Sequence, residues 1–405
     1  MELKCSIQNY LWGKQGLNSI VAALMKSADP EFIPKKEVPY AELWMGTHPN
    51  GPSFLKHQNI SLNEYIQSNS NILGNKVEEI YGKKLPFLFK VLSINKALSI
   101  QVHPNKEQAE KLHEAQPELY KDANHKPEMA IALTEFEALY GFRPMDEISF
   151  YIQKIPELRA AIGVDNIPRY NSSIEKEVQN VLKSCFTSLV TQSPQIIFEQ
   201  LSKFRKRLSI MDEDRQSLHA DLIERLHSDY PGDVGCFSIY FFNYIKLQPG
   251  EAIYIGANEP HTYLFGDCIE CMACSDNVVR AGLTSKIKDI ETLVSMLTYI
   301  GEPVADKKFK ALREDECTQI FRPPIQDFAV AKITIAPEIL SYNLIQRNSA
   351  SILIIIDGKA EILHSQILHR VNPGSILFIE ANKSVNIKMP SNSAPMLIFQ
   401  AFVNI

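Results

Sequence analysis

The feature that most constrains this chain is a block of helical periodicity set into sequence that is otherwise strand-like. From about Asp146 to Asp229 the segments IQKIPELRAAIG, IEKEVQNVLKSCF, SPQIIFEQLSKFRKRL and LHADLIERLHSDY place apolar residues three and four apart, the spacing that lines one face of an α-helix. Before the block, LPFLFKVLSI (Leu85 to Ile94), ALSIQVHP (Ala97 to Pro104) and MAIAL (Met129 to Leu133) are short apolar runs between turn residues and read as strands. Between them, KEQAEKLHEAQPELYK (Lys106 to Lys121) has helical spacing interrupted by Pro117. After the block, strand patterning resumes at GCFSIYFFNYIKLQPGEAIYIGANEPHTYLF and continues to Glu270. Ser285 to Ile300 then reads as a helix, and the charged, turn-rich stretch 302–320 as a linker. At 405 residues the chain exceeds one hydrophobic core, so two or three structural units are expected.

An internal repeat refines this division. VNPGSILFIEAN (Val371 to Asn382) aligns with LQPGEAIYIGAN (Leu247 to Asn258), sharing Pro-Gly, Ile, Ala and Asn at corresponding places. The repeat predicts two β-barrel units of jelly-roll type. In this alignment His261 corresponds to Val385, so the second unit is expected to lack a ligand that the first retains. The fold class is thus mainly β with an α-helical insert. Residues 1–145 and 235–300 form a discontinuous first barrel, 146–234 the helical domain and 301–405 a C-terminal barrel without a metal site.

Composition removes several classes of function. The chain is 45% hydrophobic and 22% charged, and no run approaches the roughly 18 apolar residues that a membrane span requires. A formal net charge of -5 argues against nucleic acid or an anionic membrane as partner, since both rely on clustered Lys and Arg. The start, MELKCSIQNYLWGKQG, lacks the unbroken apolar stretch of a signal peptide. Seven scattered cysteines fit free thiols in a reducing compartment. A cytoplasmic, monomeric protein acting on a small molecule is the expectation.

Gln101 and His103 stand two apart on an expected strand, so both side chains project from one face. Glu128 opens the next strand, and His261 follows Pro260 at the end of another. Two imidazoles, a carboxylate and an amide oxygen suit Zn²⁺ and also accept Mn²⁺, Fe²⁺ or Co²⁺. Singly these signals are weak, because a lone strand histidine is more often a core or surface residue. Cys268, Cys271 and Cys274 are spaced as Cys-x-x-Cys-x-x-Cys. On a strand, however, this spacing turns successive cysteines to opposite faces, and buried structural thiols are the simpler account. Trp12 and Trp44 read as core or pocket wall.

The wording around these residues is far more specific. SIQVHPNKEQAEKLH, DANHKPEMAIAL, GEAIYIGANEPHTYL and GDCIECMACSDNVVRAGLTSK, with NYLWGKQG and YAELWMGTHPNGP nearer the start, closely resemble, in order, the signature blocks of type I mannose-6-phosphate isomerases. The resemblance covers nearly the whole chain and is weakest in the helical block and the last hundred residues. It implies Gln101, His103, Glu128 and His261 as ligands of one zinc ion per chain, Arg280 of the Arg-Ala-Gly-Leu-Thr block as a catalytic residue, and cupin-like barrels. The implied reaction interconverts mannose 6-phosphate and fructose 6-phosphate and supplies mannose phosphate for GDP-mannose.

Aldose–ketose isomerisation opens a sugar ring and moves a proton between neighbouring carbons through an enediol, so it needs a base and an acid. Glu270 and Lys126 are the candidate bases. Arg280 keeps its proton and is suited to stabilising negative oxygen; its blander role is an ion pair with Asp276, itself grouped with the substrate contacts. Ser99, Lys90 and Lys286 are the candidate phosphate donors. Two competing readings are a cupin-like metal protein without isomerase activity and a non-haem iron oxygenase.

Overall fold

The computed structural model describes residues 1–163, 174–364, 367–391 and 394–405. Parts of two expected units, 164–173 in the helical block and 365–366 and 392–393 near the C-terminus, lie outside the described residues. The helical block contains Met145–Lys154, Pro156–Ile162, Glu175–Val190, Pro194–Ser209 and Ala220–Asp229. The helix Pro194–Ser209 starts cleanly because Ser193 caps it and Pro194 occupies its first turn. Its Ile197, Leu201, Phe204 and Leu208 form one buried stripe, joined in a single cluster by Leu182, Phe186 and Leu189 of Glu175–Val190 and by Phe237, Tyr240 and Phe242 of the returning chain. The expected helix at 106–121 spans Lys106–Ala115 and stops ahead of Pro117, with a capping box formed by Asn105 and Gln108.

The sheet that positions the site is built around one long strand, His261–Ala273. Its first part pairs with Phe136–Phe142 and meets Gln101 opposite His261. Its second part runs between Phe87–Ile94 and Glu128–Ala132. The change of partners falls at Gly266, where φ is +108° and a Cβ would collide with the Glu135 carbonyl. Only glycine supplies that bend at this distance from a neighbouring backbone. The strand thus belongs to two sheet faces, and Val279–Gly282 extends one of them by setting Arg280 opposite Gln101.

The C-terminal residues form a six-stranded and a four-stranded sheet around their own apolar cluster, which includes Ile333, Leu353, Ile362, Ile387 and Ile398. Both halves of the internal repeat adopt the same local structure. Gly250 and Gly374 each have φ 87°, strands Ala252–Ile255 and Ile376–Ile379 follow, and Asn258 and Asn382 are left-handed at φ 64° and 60°. The next strands open at His261 and Val385 respectively.

The expected linker differs from a plain connection. Lys308–Phe309 adds to the edge strand Ala252–Ile255 of the first sheet, whereas Leu312–Arg313 already pairs with Thr318–Phe321 of the second. The two β units also share one apolar cluster, in which Phe89, Val91 and Ile269 mix with Phe328, Ile352 and Phe399. A charged surface sequence conceals this because the contact is made by strands on either side of it.

Candidate metal centre

His103 follows the strand Ile100–Val102 directly and is wholly buried. Its Nδ1 lies 2.8 Å from the Asn277 carbonyl oxygen, which fixes the proton on that nitrogen and leaves Nε2 as a lone pair. Nε2 has no hydrogen-bond partner among the described residues, although it stands 3.3 Å from Glu128 Oε1. Burial, reinforced by the Lys126 ammonium, pushes the His103 pKa down to about 4. The ring is therefore neutral, the form that binds metals.

His261 is held the same way. Its Nδ1 lies 3.1 Å from the Glu259 carbonyl oxygen and its Nε2 lies 3.4 Å from Glu128 Oε2. Burial works against the charged form of Glu128, yet the Lys126 ammonium at 3.0 Å and the two imidazoles outweigh it and hold the carboxyl well below the usual range. One ligand atom from each of His103, Glu128 and His261 lies within 4.8 Å of the others. Gln101 lines the same small cavity, of about 80 Å³, with Glu128, His261, Lys126, Lys90 and Glu270. A buried imidazole lone pair without a hydrogen-bond partner among the described residues, beside a carboxylate and a second imidazole, fits a divalent cation of the borderline class.

Lys90, expected among the phosphate donors, is placed differently. It sits opposite Trp44 on one side and Glu270 on the other. Its ammonium lies 2.9 Å from Glu270, 3.5 Å from Glu42 and 5.2 Å from the centre of the Trp44 ring. Two buried carboxylates already match its charge, and their attraction outweighs burial to keep it protonated. The Glu270 carboxyl is pushed up, by burial first and then by Glu128 and Glu42, because one lysine is shared between two acids.

A wider cavity of about 590 Å³ shares Glu42, Leu98 and Gln101 with the small one and brings in Ser99, Arg280 and Lys286. Trp12 lines it, as a pocket wall. Arg280 is half-buried, and its Nε has no partner among the described residues. Asp276, expected beside Arg280, instead lies 3.3 Å from His48 and lines neither cavity. Cys268 and Cys271 fall in different apolar clusters, on opposite faces of their strand.

Sequence reasoning missed Glu42, Asn277 and Glu259. Glu42 carried a usable signal, since it interrupts the apolar run Ala41 to Met45 and is buried there. Asn277 and Glu259 act through backbone carbonyls, for which side-chain identity gives no cue.

A buried two-histidine, one-carboxylate centre opening into a cation-lined cavity defines the class of a metal-dependent enzyme acting on a polar small molecule. Residues 1–145 match phosphomannose isomerase type I, catalytic domain, and residues 160–242 match its helical insertion domain. The chain is 45% identical to mannose-6-phosphate isomerase of Bos taurus over 412 residues, covering 98% of this chain and 97% of that one. It is 40% identical to mannose-6-phosphate isomerase 1 of Arabidopsis thaliana, covering 99% and 93%. The apo form of mannose 6-phosphate isomerase from Salmonella typhimurium superposes with a TM-score of 0.84 at 31% identity, covering 100% of this chain and 99% of that one. A zinc-bound mannose 6-phosphate isomerase gives a TM-score of 0.84 at 32% identity with the same coverage. The chain belongs to the type I phosphomannose isomerase family and is an enzyme of that family.

Proposed function

We propose that this enzyme interconverts mannose 6-phosphate and fructose 6-phosphate through an enediol, with one zinc ion per chain held by Gln101, His103, Glu128 and His261. The observation that carries the reading is the Nε2 of buried His103, without a hydrogen-bond partner among the described residues and beside Glu128 and His261, in a chain whose relatives are mannose-6-phosphate isomerases. Zinc supplies Lewis acidity toward oxygens of the substrate. This chain's residues supply the rest. Arg280 meets negative charge that develops on the sugar oxygens, and Ser99 and Lys286, in the wider cavity, receive the phosphate. Glu270 and Lys126 both line the small cavity and are the groups that move protons there. The scaffold divides into a cupin-like jelly-roll barrel, the helical insert and a second barrel in which Val385 stands where His261 stands in the first.

The reading is tested by following fructose 6-phosphate formation from mannose 6-phosphate with a coupled assay. Turnover that stops with a chelator and returns with Zn²⁺ is expected. No turnover by the zinc-loaded protein would refute it.

A further inference from the structure

The geometry points to Lys307, contributed by the stretch leading to the C-terminal unit, as a positioning residue for His261 acting through Glu259. The inference rests on the metal-site reading above. Lys307 is buried, an uncommon place for a lysine, and its ammonium lies 3.1 Å from Glu259 Oε1 and 2.5 Å from Glu302 Oε2. It also stands 4.9 Å from the centre of the Tyr140 ring, a cation–π distance. The Tyr140 hydroxyl contacts the other oxygen of Glu259, and Tyr140 is itself the strand neighbour of His261.

The passage of Lys307 to this position is built into the sheet. Gly141 has φ +64°, and a Cβ there would lie 2.8 Å from Lys307 Cε and 2.9 Å from Nζ. A side chain at Gly141 would displace the ammonium.

Glu259 then works with both of its ends. Its carboxylate is fixed by Lys307 and Tyr140, while its backbone carbonyl faces His261 Nδ1 at 3.1 Å and sets which ring nitrogen turns toward Glu128. The same loop is tied to the other histidine, because the Asn258 N–H donates to the His103 carbonyl at 2.8 Å and the Gly141 N–H donates to Pro260 at 2.8 Å. Removing the lysine leaves the Glu259 carboxylate held by Tyr140 alone and loosens, with it, the peptide that orients His261. Groups that orient metal ligands from behind typically change metal affinity by roughly 10–100-fold.

The test is zinc affinity of the metal-stripped full chain, read by competition with a chromophoric chelator, in Lys307→Met, Glu259→Gln and the double variant. Each single change is expected to weaken zinc binding roughly 10–100-fold, and the double variant little more than either, because both act along one path. Unfolding of the metal-free proteins is measured beside it. Lower stability with wild-type zinc affinity would show a purely structural ion pair and overturn the inference, as would fully additive losses. If Lys307→Met does not fold, Glu259→Gln, which keeps size and shape, decides on the same affinity criterion. The readout needs no substrate, so a missing isomerase activity would count against the proposed reaction alone. Failure of the wild-type chain to bind zinc would overturn the site reading and this inference together.

Discussion

Arg280→Met is expected to raise stability while abolishing most activity, a pairing that a structural arginine would not produce. Other buried or half-buried arginines are matched by acids: Arg143 to Glu147 at 2.9 Å, Arg207 to Glu157 at 2.7 Å and Arg347 to Glu314 at 2.6 Å. Arg280 differs, since burial alone accounts for its lowered pKa and its Nε is without a partner among the described residues. The folded state therefore holds this charge at a cost. Complete burial would cost several kcal/mol, but water still reaches the side chain and screens it, so the relief is about 0.5–1.5 kcal/mol. Loss of one preorganised donor lowers turnover ~10²–10³-fold, equivalent to about 2.7–4 kcal/mol. Denaturant unfolding of the metal-free variant gives the first quantity, and steady-state kinetics of the zinc-loaded variant give the second. Arg280→Lys keeps the charge without the planar fork and should lower kcat with little change in stability. Destabilisation of the Met variant by more than about 1 kcal/mol would refute the argument from an unmatched charge. A raised KM with unchanged kcat in either variant would remove Arg280 from the transition state.

Lys90→Met should cost about 3–5 kcal/mol at pH 8, because it strands two buried carboxylates. Glu270 then takes up a proton more readily than in the unfolded chain, so the cost should shrink toward pH 5; equal costs in urea unfolding at both pH values would contradict this. His219, whose Nε2 accepts from Tyr151 and lies 3.5 Å from Arg143, has its pKa pushed down to about 4 by burial first and then by Arg143. The unfolded state gains its proton first, so the fold should lose about 1–2 kcal/mol as pH falls from about 6.5 to about 4. His219→Asn, which tolerates the left-handed φ of 50°, should flatten that part of the stability curve. Cys271→Ser places a hydroxyl in an apolar cluster and should cost about 1–3 kcal/mol with zinc content unchanged. Loss of zinc would put the thiol in the site.

The helical block was legible because each helix repeats its own apolar stripe, as in Ile197, Leu201, Phe204 and Leu208. The turn-and-strand repeat was legible for a similar local reason. The long strand was not, since the bend at Gly266 is required by the Glu135 carbonyl from another part of the chain. The same limit explains Lys90. Its sequence neighbours are apolar, and the two acids that claim its charge lie 48 residues before it and 180 after it in the chain. A lysine between carboxylates and a lysine awaiting phosphate are identical until the strands are paired.

Those pairings also account for why two of the three buried glutamates lining one small cavity are suited to different work. Glu128 faces Lys126 and two imidazoles, so several positive or donor groups converge on one carboxylate and hold it ionised despite burial. Glu270 shares Lys90 with Glu42 and has Glu128 nearby, so one cation answers for more than one negative charge and the carboxyl is pushed up. Environments that drive two titratable groups apart are how one site runs both ionised and protonated carboxyl chemistry. In the proposed reaction Glu128 is the metal ligand and Glu270 a carrier of protons, and the contrast between them arises from which groups each faces, since the two residues have the same side chain.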